Sequence, residues 1–255
     1  MAEGEPQPKK STGPGKILAW IGGTVLALAL IAAAGAFGGW VWLNTQFEAP
    51  GPAGQDETIL LPRGSGLIAI ASQLEHEGLV EDARLFRLMV TIDGGDRSLR
   101  AGEFAIPEQA SMQEIYDILR FGETIQHPIT AAEGLTSAMI VEIVNAAEVL
   151  TGEIEAVPAE GVLLPETYLV DRGASRQAVI DRMAAAQTAL LDQLWPNRAE
   201  NLPFDTREEA IILASIVEKE TGVGAERPLV AGVFVNRLRR GMRLQSDPTI
   251  IYGLT

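Results

Sequence analysis

The chain has 255 residues, of which 47% are apolar, so it can bury a core in one large domain or two ordinary ones. Its formal net charge of −14 argues against a nucleic-acid-binding protein, because such proteins need a basic surface. Cysteine is absent, which excludes disulfides, thiolate metal sites and a cysteine nucleophile. There are two histidines and no zinc-protease, nucleophile-elbow or phosphate-loop motif. We therefore predict no metal and no cofactor, and chemistry that rests on carboxylates, amides, hydroxyls or arginines.

An uncharged apolar segment, Ile17–Leu43, is longer than the roughly 20 residues that cross a bilayer as a helix. Trp20 lies near one end, and Trp40 and Trp42 lie near the other, where membrane interfaces favour aromatic rings. Lysines precede the segment and acidic residues follow it. By the positive-inside rule, the tail at residues 1–16 is cytoplasmic and the bulk of the chain lies outside the membrane.

Two other interpretations of this segment stay open. Ala34–Ala36 resembles a signal-peptidase site, although a cleaved signal peptide has a shorter apolar region of about 7–15 residues. Gly35 and Gly39 form a GxxxG spacing, which can mark helix dimerisation but is weakly informative in a segment rich in glycine and alanine.

A linker rich in proline and glycine, at residues 44–56, precedes a small module that we place at residues 57–130. The patterns predict strands at its start, at "GEFAIP" and at "TIQHPIT", with helices between them. Asp82 is the expected N-cap of one helix, and Ser111 with Glu114 forms a capping box for another. Since no catalytic groups gather in this module, we expect a binding or spacer role.

Neither histidine is expected to be a ligand. His127 shares one face of the "TIQHPIT" strand with Ile125 and Ile129, which predicts a half-buried strand residue. His76 comes late in a surface helix and is expected to be solvated.

The pattern of apolar and polar residues changes at residue 131, and for residues 131–255 we predict a mostly helical, mixed α+β domain. The expected elements are a helix capped by Thr136, the extended segment 160–170, a long amphipathic helix stopped by Pro196, a helix with a capping box at Thr206 and Glu209, a helix opened by Pro228, and a helix starting at Asp247-Pro248. The chain ends about one turn into that last helix, so we expect the domain to continue beyond Thr255. The overall fold class is α+β with one transmembrane helix.

Two glutamates, Glu218 and Glu220, stand in an otherwise apolar helical stretch. Residues two apart on a helix diverge by about 200°, so these carboxylates cannot face one cleft as an acid–base pair. Glu220 projects with the apolar side of the helix. We expect it to be structural and ion-paired with an arginine such as Arg227 or Arg237.

Glu218 projects on the side of Ala214 and Ser215, whose small side chains leave room for a bulky ligand. An apolar neighbourhood keeps a carboxyl group protonated near neutral pH, as a general acid toward a glycosidic oxygen must be. The ordinary alternative is a solvated surface glutamate.

Three motifs carry a family resemblance: "EGVLLPETY" (160–168), "LASIVEKETG" (213–222) and "VFVNRLRRGMRLQSDPTIIYG" (233–253). Together they closely resemble the YceG-like endolytic murein transglycosylases, the MltG family. The resemblance implies that the module at 57–130 is LysM-like and that residues 131–255 form most of the catalytic domain. Family members carry a further stretch after the last motif, which this chain does not have.

The resemblance implies a reaction in which Glu218 is the catalytic acid and base. The β-1,4 bond between N-acetylmuramic acid and N-acetylglucosamine is cut in nascent peptidoglycan, and the 6-hydroxyl of the muramic acid attacks C1. The product has a 1,6-anhydro end, so one carboxyl group suffices. The implied partners are glycan strands, the inner (cytoplasmic) membrane through a single-pass anchor, and peptidoglycan synthases, with no nucleic acid.

Five residues of the last motif could contact substrate. Asn236 and Gln245 could hydrogen-bond N-acetyl or hydroxyl groups, or only neighbouring backbone. Asp247 precedes a proline, which favours helix capping over substrate contact. Tyr252 could stack on a sugar or pack in a core, and Arg237 could contact substrate or Glu220.

Two other functions stay open at this point. One is a non-catalytic glycan-binding or scaffold protein of cell-wall synthesis, suggested by the anchor followed by a small module. The other is a hydrolytic muramidase, which needs a second carboxylate in the cleft.

Overall fold

The structure, a computed structural model, describes the backbone of residues 14–253 and the side chains of residues 23–247 and 249–253. The chain divides into two compact units. The amino-terminal unit comprises the residues up to Ile59, Gly64–Arg100 and Ile106–Gly122. The carboxy-terminal unit comprises Leu60–Arg63, Ala101–Ala105 and the chain from Glu123 onward.

The chain mixes helices and short strands, as expected for the α+β class, and its last four helices follow one another without an intervening strand. The helices are α1 (Pro14–Glu48), α2 (Leu67–His76), α3 (Ala83–Ile92), α4 (Met112–Phe121), α5 (Ser137–Ala146), α6 (Arg176–Leu194), α7 (Arg207–Glu220), α8 (Arg227–Arg239) and α9 (Asp247–Tyr252). The strands are β1 (Glu57–Leu61), β2 (Gly102–Ile106), β3 (Gln126–Thr130), β4 (Leu150–Thr151), β5 (Thr167–Asp171) and β6 (Ala174–Ser175). In the described residues these strands form two-stranded sheets with the pairs β1–β2, β3–β5 and β4–β6.

Helix α1 contains the predicted transmembrane segment and is longer than expected. Its part Gly23–Glu48 is the one helix of the described chain that is long and apolar enough to cross a membrane. The helix ends at Glu48 because Pro50 disfavours helical backbone at the residue before it. The predicted cytoplasmic tail lies, up to residue 13, outside the described residues, and so does the side chain of Trp20.

The predicted linker at residues 44–56 is a packed segment and not a free connection. Its first part continues α1, and the ring of Phe47 is buried with its centroid 6.3 Å from that of Phe86. Gly51 then donates a backbone hydrogen bond to Gln109, which donates one in return to Ala53. Composition indicated a linker here, but it could not reveal these contacts with distant residues.

The caps predicted for α3 and α4 are confirmed. The Asp82 carboxylate accepts the backbone N–H groups of Arg84 at 2.7 Å and Leu85 at 3.2 Å. Ser111 and Glu114 form a reciprocal capping box at α4. These interactions involve residues two or three apart, so local sequence suffices to specify them.

The boundary of the small module differs from the predicted one. Strand β3 was assigned to the module at 57–130, but it pairs antiparallel with β5, with Ile129 opposite Tyr168. The division therefore falls after Gly122, and β3 belongs to the carboxy-terminal unit. The alternating pattern of β3 identifies a strand, but it does not encode which distant strand completes the sheet.

The carboxy-terminal unit has one hydrophobic cluster around the β3–β5 sheet. Helices α5 and α6 pack there, with Thr136 capping α5 as predicted. The fully or nearly buried members of this cluster include Ile129, Ile140, Val144, Tyr168, Val170, Val179, Ile180 and Met183. The second half of α6 is less buried than the first, and Leu194 is 55% exposed.

A second cluster joins α7 and α8 through Leu213, Ile216, Val217 and Phe234. The predicted capping box of Thr206 and Glu209 begins α7. The pKa of Glu209 is lowered because the backbone N–H groups of Asp205 and Thr206 donate to its carboxylate.

Two glycine turns approach α7 closely. Gly161 has φ +76°, and a Cβ there would lie 2.7 Å from Cγ2 of Ile211. Gly134 has φ +75°, and a Cβ there would lie 2.9 Å from Cε of Lys219. At these two positions glycine is favoured for two reasons, because the backbone is left-handed and because a side chain would collide with α7.

A buried carboxylate, Glu103, binds two partners within the same unit. Nε2 of His127 lies 2.5 Å from its carboxylate, and Nε of Arg172 lies 3.0 Å away. Burial acts to raise the pKa of Glu103, but the hydrogen bonds from His127 and Arg172 outweigh it, and the net pKa is lowered. His127 is a part-buried strand residue and His76 is exposed, as predicted.

The Glu103 cluster predicts a pH dependence of stability. Since the pKa of Glu103 in the folded state lies below its ordinary value of 4.5, ionised Glu103 stabilises the fold above that pH. This contribution is lost as the pH falls through the lowered folded-state pKa. Glu103→Gln should cost roughly 1.5–3 kcal/mol at pH 7 and flatten the acid limb of a plot of unfolding free energy against pH.

The measurement is urea unfolding between pH 3 and 7, with the exposed Glu153→Gln as the control. An acid limb that is the same in Glu103→Gln and in the unmodified protein would contradict the role of this carboxylate.

The packing of Gly161 on α7 is testable against a second glycine. Gly173 has a similar φ of +83°, but a Cβ there would have nothing within 4 Å. Gly173→Ala should therefore show the left-handed penalty alone, about 1–2 kcal/mol. Gly161→Ala should cost measurably more in thermal or urea unfolding because its methyl group collides with Ile211. Equal losses would mean that this contact does not constrain the fold.

Candidate active site around Glu218

The two glutamates at the end of α7 have different partners, as their angular separation predicts. Leu213, Ile216 and Val217 bury one side of the helix. The Glu218 carboxylate meets Arg227, whereas Glu220 meets Ser246. The two carboxylates are thus held separately and do not form an acid–base pair.

Glu218 forms an ion pair with Arg227, the first residue of α8. Nη2 of Arg227 lies 2.9 Å from each carboxylate oxygen, and the Glu218 side chain is 25% exposed. A short turn brings the two residues together, and the Thr221 hydroxyl stabilises it by donating to Glu226 at 2.9 Å. The expected apolar neighbourhood of Glu218 is therefore wrong on this side, where a guanidinium lies.

The expected ion pair of Glu220 is also wrong for the described residues. Of its two suggested partners, Arg227 binds Glu218, and Arg237 donates to the backbone carbonyl of Leu244. Glu220 instead accepts a short hydrogen bond from the hydroxyl of Ser246. Helical geometry predicted the direction of Glu220, but the neighbour on that side comes from a segment 26 residues away.

Arg227 retains an unused donor. Its Nε atom is buried and has no hydrogen-bond partner among the described residues. An unsatisfied buried donor costs about 1–3 kcal/mol, so such a group in a native structure calls for an explanation.

The face of α7 around Glu218 is open. Ala214 and Ser215 are exposed, in agreement with the expected room for a ligand. The hydroxyl of Ser215 donates to the carbonyl of Ile212 within the helix. The steric space on this face therefore comes from the small size of these two residues.

The glycine turns flank this same face. Gly161 contacts α7 at Ile211, about two helical turns before Glu218, and Gly134 contacts it at Lys219. The two turns are joined because Ser137 donates its backbone N–H to Glu160 and its hydroxyl to the carbonyl of Ala159, each at 3.0 Å. The "EGVLLPETY" motif therefore helps to border the Glu218 face.

The segment that carries Gln245 is held by both helices. Gln245 is exposed and has φ +55°. Ser246 is the N-cap residue of α9, and Asp247 is the first helical residue, so the expectation that Asp247 caps this helix is wrong by one position. The hydroxyl of Ser246 does not cap the helix, because it is bonded to Glu220.

The other candidates lie on exposed surfaces. Asn236 is exposed on α8, about 200° around the helix from the buried Phe234. Tyr252 is 59% exposed on α9, which disfavours core packing in the described structure. The hydrogen bonds and ion pairs described for Glu218 are with Arg227 and not with Asn236, Gln245 or Asp247, and the substrate-binding roles of these three residues and of Tyr252 stay predictions.

Arg227 and Ser246 are the residues that sequence reasoning missed. Arg227 was considered as a partner for the wrong glutamate, and Ser246 was not considered at all. A turn short enough to bring the start of α8 back to the end of α7 was the one available signal for Arg227. Nothing local indicates the contact between Ser246 and Glu220.

Comparisons with known proteins agree with the resemblance. A protein named endolytic murein transglycosylase from Streptococcus pneumoniae serotype 2 (strain D39 / NCTC 7466) is 29% identical over 269 residues, covering 89% of this chain and 48% of the relative. One of the same name from Bacillus subtilis (strain 168) is 25% identical over 227 residues, covering 76% and 62%. The chain thus spans about half the length of the streptococcal relative.

A crystal structure of a yceG-like protein from Listeria monocytogenes is similar with a TM-score of 0.40 and 24% identity, over 78% of this chain and 76% of that one. The family model of the YceG-like family matches residues 59–255, which include all three motifs. This match runs from within β1 to the last residue and covers more than half of the chain, and the protein therefore belongs to the YceG-like family.

Proposed function

We propose that this chain carries the catalytic site of an endolytic murein transglycosylase, a lyase that cuts peptidoglycan strands and leaves 1,6-anhydro ends. The observation that carries the proposal is Glu218 on an open face of small residues, with its carboxylate oriented by Arg227. The relatives named endolytic murein transglycosylase support the same assignment.

One carboxyl group suffices for this reaction. Protonated Glu218 donates its proton to the glycosidic oxygen of N-acetylglucosamine as the bond to C1 of N-acetylmuramic acid breaks. The resulting carboxylate then accepts the proton of the muramic acid 6-hydroxyl while that oxygen bonds to C1. The proton lost in the first step is regained in the second, and no water is consumed.

Arg227 complements this cycle by binding the ionised form. The ion pair seen in the structure corresponds to Glu218 as a carboxylate, the state that follows proton donation. When Glu218 is protonated, the guanidinium is free to turn its donors toward the substrate. Its unpartnered Nε suits the oxygen-rich surface of a glycan strand.

The remainder of the proposal concerns location and binding. We place α1 across the inner (cytoplasmic) membrane as a single-pass anchor, with the N-terminus cytoplasmic and the catalytic domain outside. A LysM-like role for the module after α1, substrate contacts by Asn236, Gln245, Asp247 and Tyr252, and association with peptidoglycan synthases belong to the same proposal.

Replacing the proposed acid tests the function. Glu218→Gln keeps the size of the side chain but cannot transfer the proton, so cleavage should fall at least about 100-fold. The measurement is digestion of peptidoglycan by the full-length protein, with products identified by mass spectrometry. Glu208→Gln, an exposed glutamate in the first turn of α7, is the matched control.

Each other result of this digestion has a definite meaning. Products with reducing ends would identify a hydrolytic muramidase. Glycan binding without turnover, unchanged by Glu218→Gln, would favour a scaffold protein. An unimpaired Glu218→Gln would remove this residue from the mechanism.

Arg227 should matter for turnover through the orientation of Glu218. Arg227→Ala is expected to lower kcat by roughly tenfold to a hundredfold, because a misplaced catalytic group loses that much rate. Arg227→Lys keeps the charge without the planar fork and should recover part of the loss. Steady-state kinetics provide the measurement.

The matched control is Arg207→Ala, which removes the ion pair between Arg207 at the start of α7 and Asp192 in α6. Equal kcat in Arg227→Ala and this control would contradict the proposed orienting role.

A further inference from the structure

The segment at residues 244–246, just before α9, is held at two points by two different helices. On one side, Nη1 of Arg237 in α8 donates to the carbonyl of Leu244. On the other side, the hydroxyl of Ser246 donates to the carboxylate of Glu220 in α7. Each bond involves a charged group, and charge-assisted hydrogen bonds are stronger than ordinary ones.

Gln245 lies between these two points in a conformation that glutamine rarely adopts. Its φ is +55°, and a left-handed backbone costs a residue with a side chain about 1–2 kcal/mol. Such a conformation persists where the surroundings over-determine it, and it is concentrated at functional sites. The side chain of Gln245 is exposed, so its own packing does not explain the conformation.

The hydroxyl of Ser246 binds Glu220 and does not cap α9. It is 2% exposed and occupies the N-cap position of α9, where a serine hydroxyl normally accepts a backbone N–H of the helix. Here no side-chain cap bond forms, and the hydroxyl donates to Glu220 instead. The backbone carbonyl of Ser246 accepts from Thr249, through its hydroxyl at 2.6 Å and its N–H at 3.1 Å.

We propose that Glu220 is a positioning residue that, through Ser246 and together with Arg237, fixes the backbone of Gln245 so that its amide group is presented to the glycan strand. This inference rests on the proposed function of the Glu218 site. A primary amide offers both a donor and an acceptor, which matches the N-acetyl groups of peptidoglycan sugars. The two glutamates of α7 then divide the work, since Glu218 transfers the proton and Glu220 orients a substrate contact.

A double-mutant cycle in the full-length protein tests this coupling. Glu220→Ala and Gln245→Ala should each raise KM about tenfold, the effect of losing one hydrogen bond to the substrate, with little change in kcat. The double variant should be no worse than Gln245→Ala, because Glu220 acts through Gln245. Glu220→Gln should restore most of the affinity, since its amide oxygen can still accept from Ser246.

Two further variants separate positioning from stability. Glycine at position 245 adopts a positive φ without the hydrogen bonds of Glu220 and Arg237. Adding Glu220→Ala to the Gln245→Gly variant should therefore leave KM unchanged. Glu208→Ala removes the same charge from the other end of α7 and is the matched control. Gln245→Gly and Glu220→Gln should both preserve the fold around Ser246, so they keep the test decisive if Glu220→Ala alone fails to fold.

Measuring glycan binding without turnover separates the test of this positioning role from the test of the proposed cleavage reaction. In the Glu218→Gln background, Kd for isolated glycan strands should follow the same pattern as KM. If the unmodified protein makes no anhydro products while this Kd pattern holds, the proposed reaction fails and the positioning role stands. If cleavage occurs but Glu220→Ala and Gln245→Ala have additive effects, or Gln245→Ala changes neither KM nor Kd, the positioning role is overturned.

Discussion

The packing of α7 against α8 is the constraint on which the rest of the candidate site depends. Leu213, Ile216 and Phe234 bury the facing sides of the two helices, and burial of large apolar side chains is the main source of their association. Once that side of α7 is buried, every other side chain on the helix has a determined direction. Glu218 must then project across the open face, and Glu220 must project toward the segment after α8.

This packing also explains why two carboxylates so close in sequence can have unrelated roles. The turn from α7 to α8 returns Arg227 to Glu218, so the first carboxylate meets a guanidinium. The segment after α8 returns Ser246 to Glu220, so the second is committed to a structural bond. The two carboxylates are thereby held apart, each by its own partner.

The accuracy of the sequence-based predictions follows the range of the interactions involved. The caps at Asp82, Ser111 and Thr206 were predictable because a cap is made by residues two or three apart. The strand β3 was recognised from its alternation but placed in the wrong unit, since its partner β5 lies about forty residues further along the chain. Wherever a prediction required a partner from a distant segment, local pattern was insufficient.

The sequence by itself determined the apolar N-terminal helix, most element boundaries, the opposed directions of Glu218 and Glu220, and the family resemblance. Each of these depends on periodicity, on capping chemistry or on a contiguous motif, which are properties of neighbouring residues. Only the tertiary structure decided that Arg227 binds Glu218, that Ser246 binds Glu220, and that glycine turns border the same face. The physical reason is that helix packing and loop closure bring together residues whose separation along the chain carries no record of their contact.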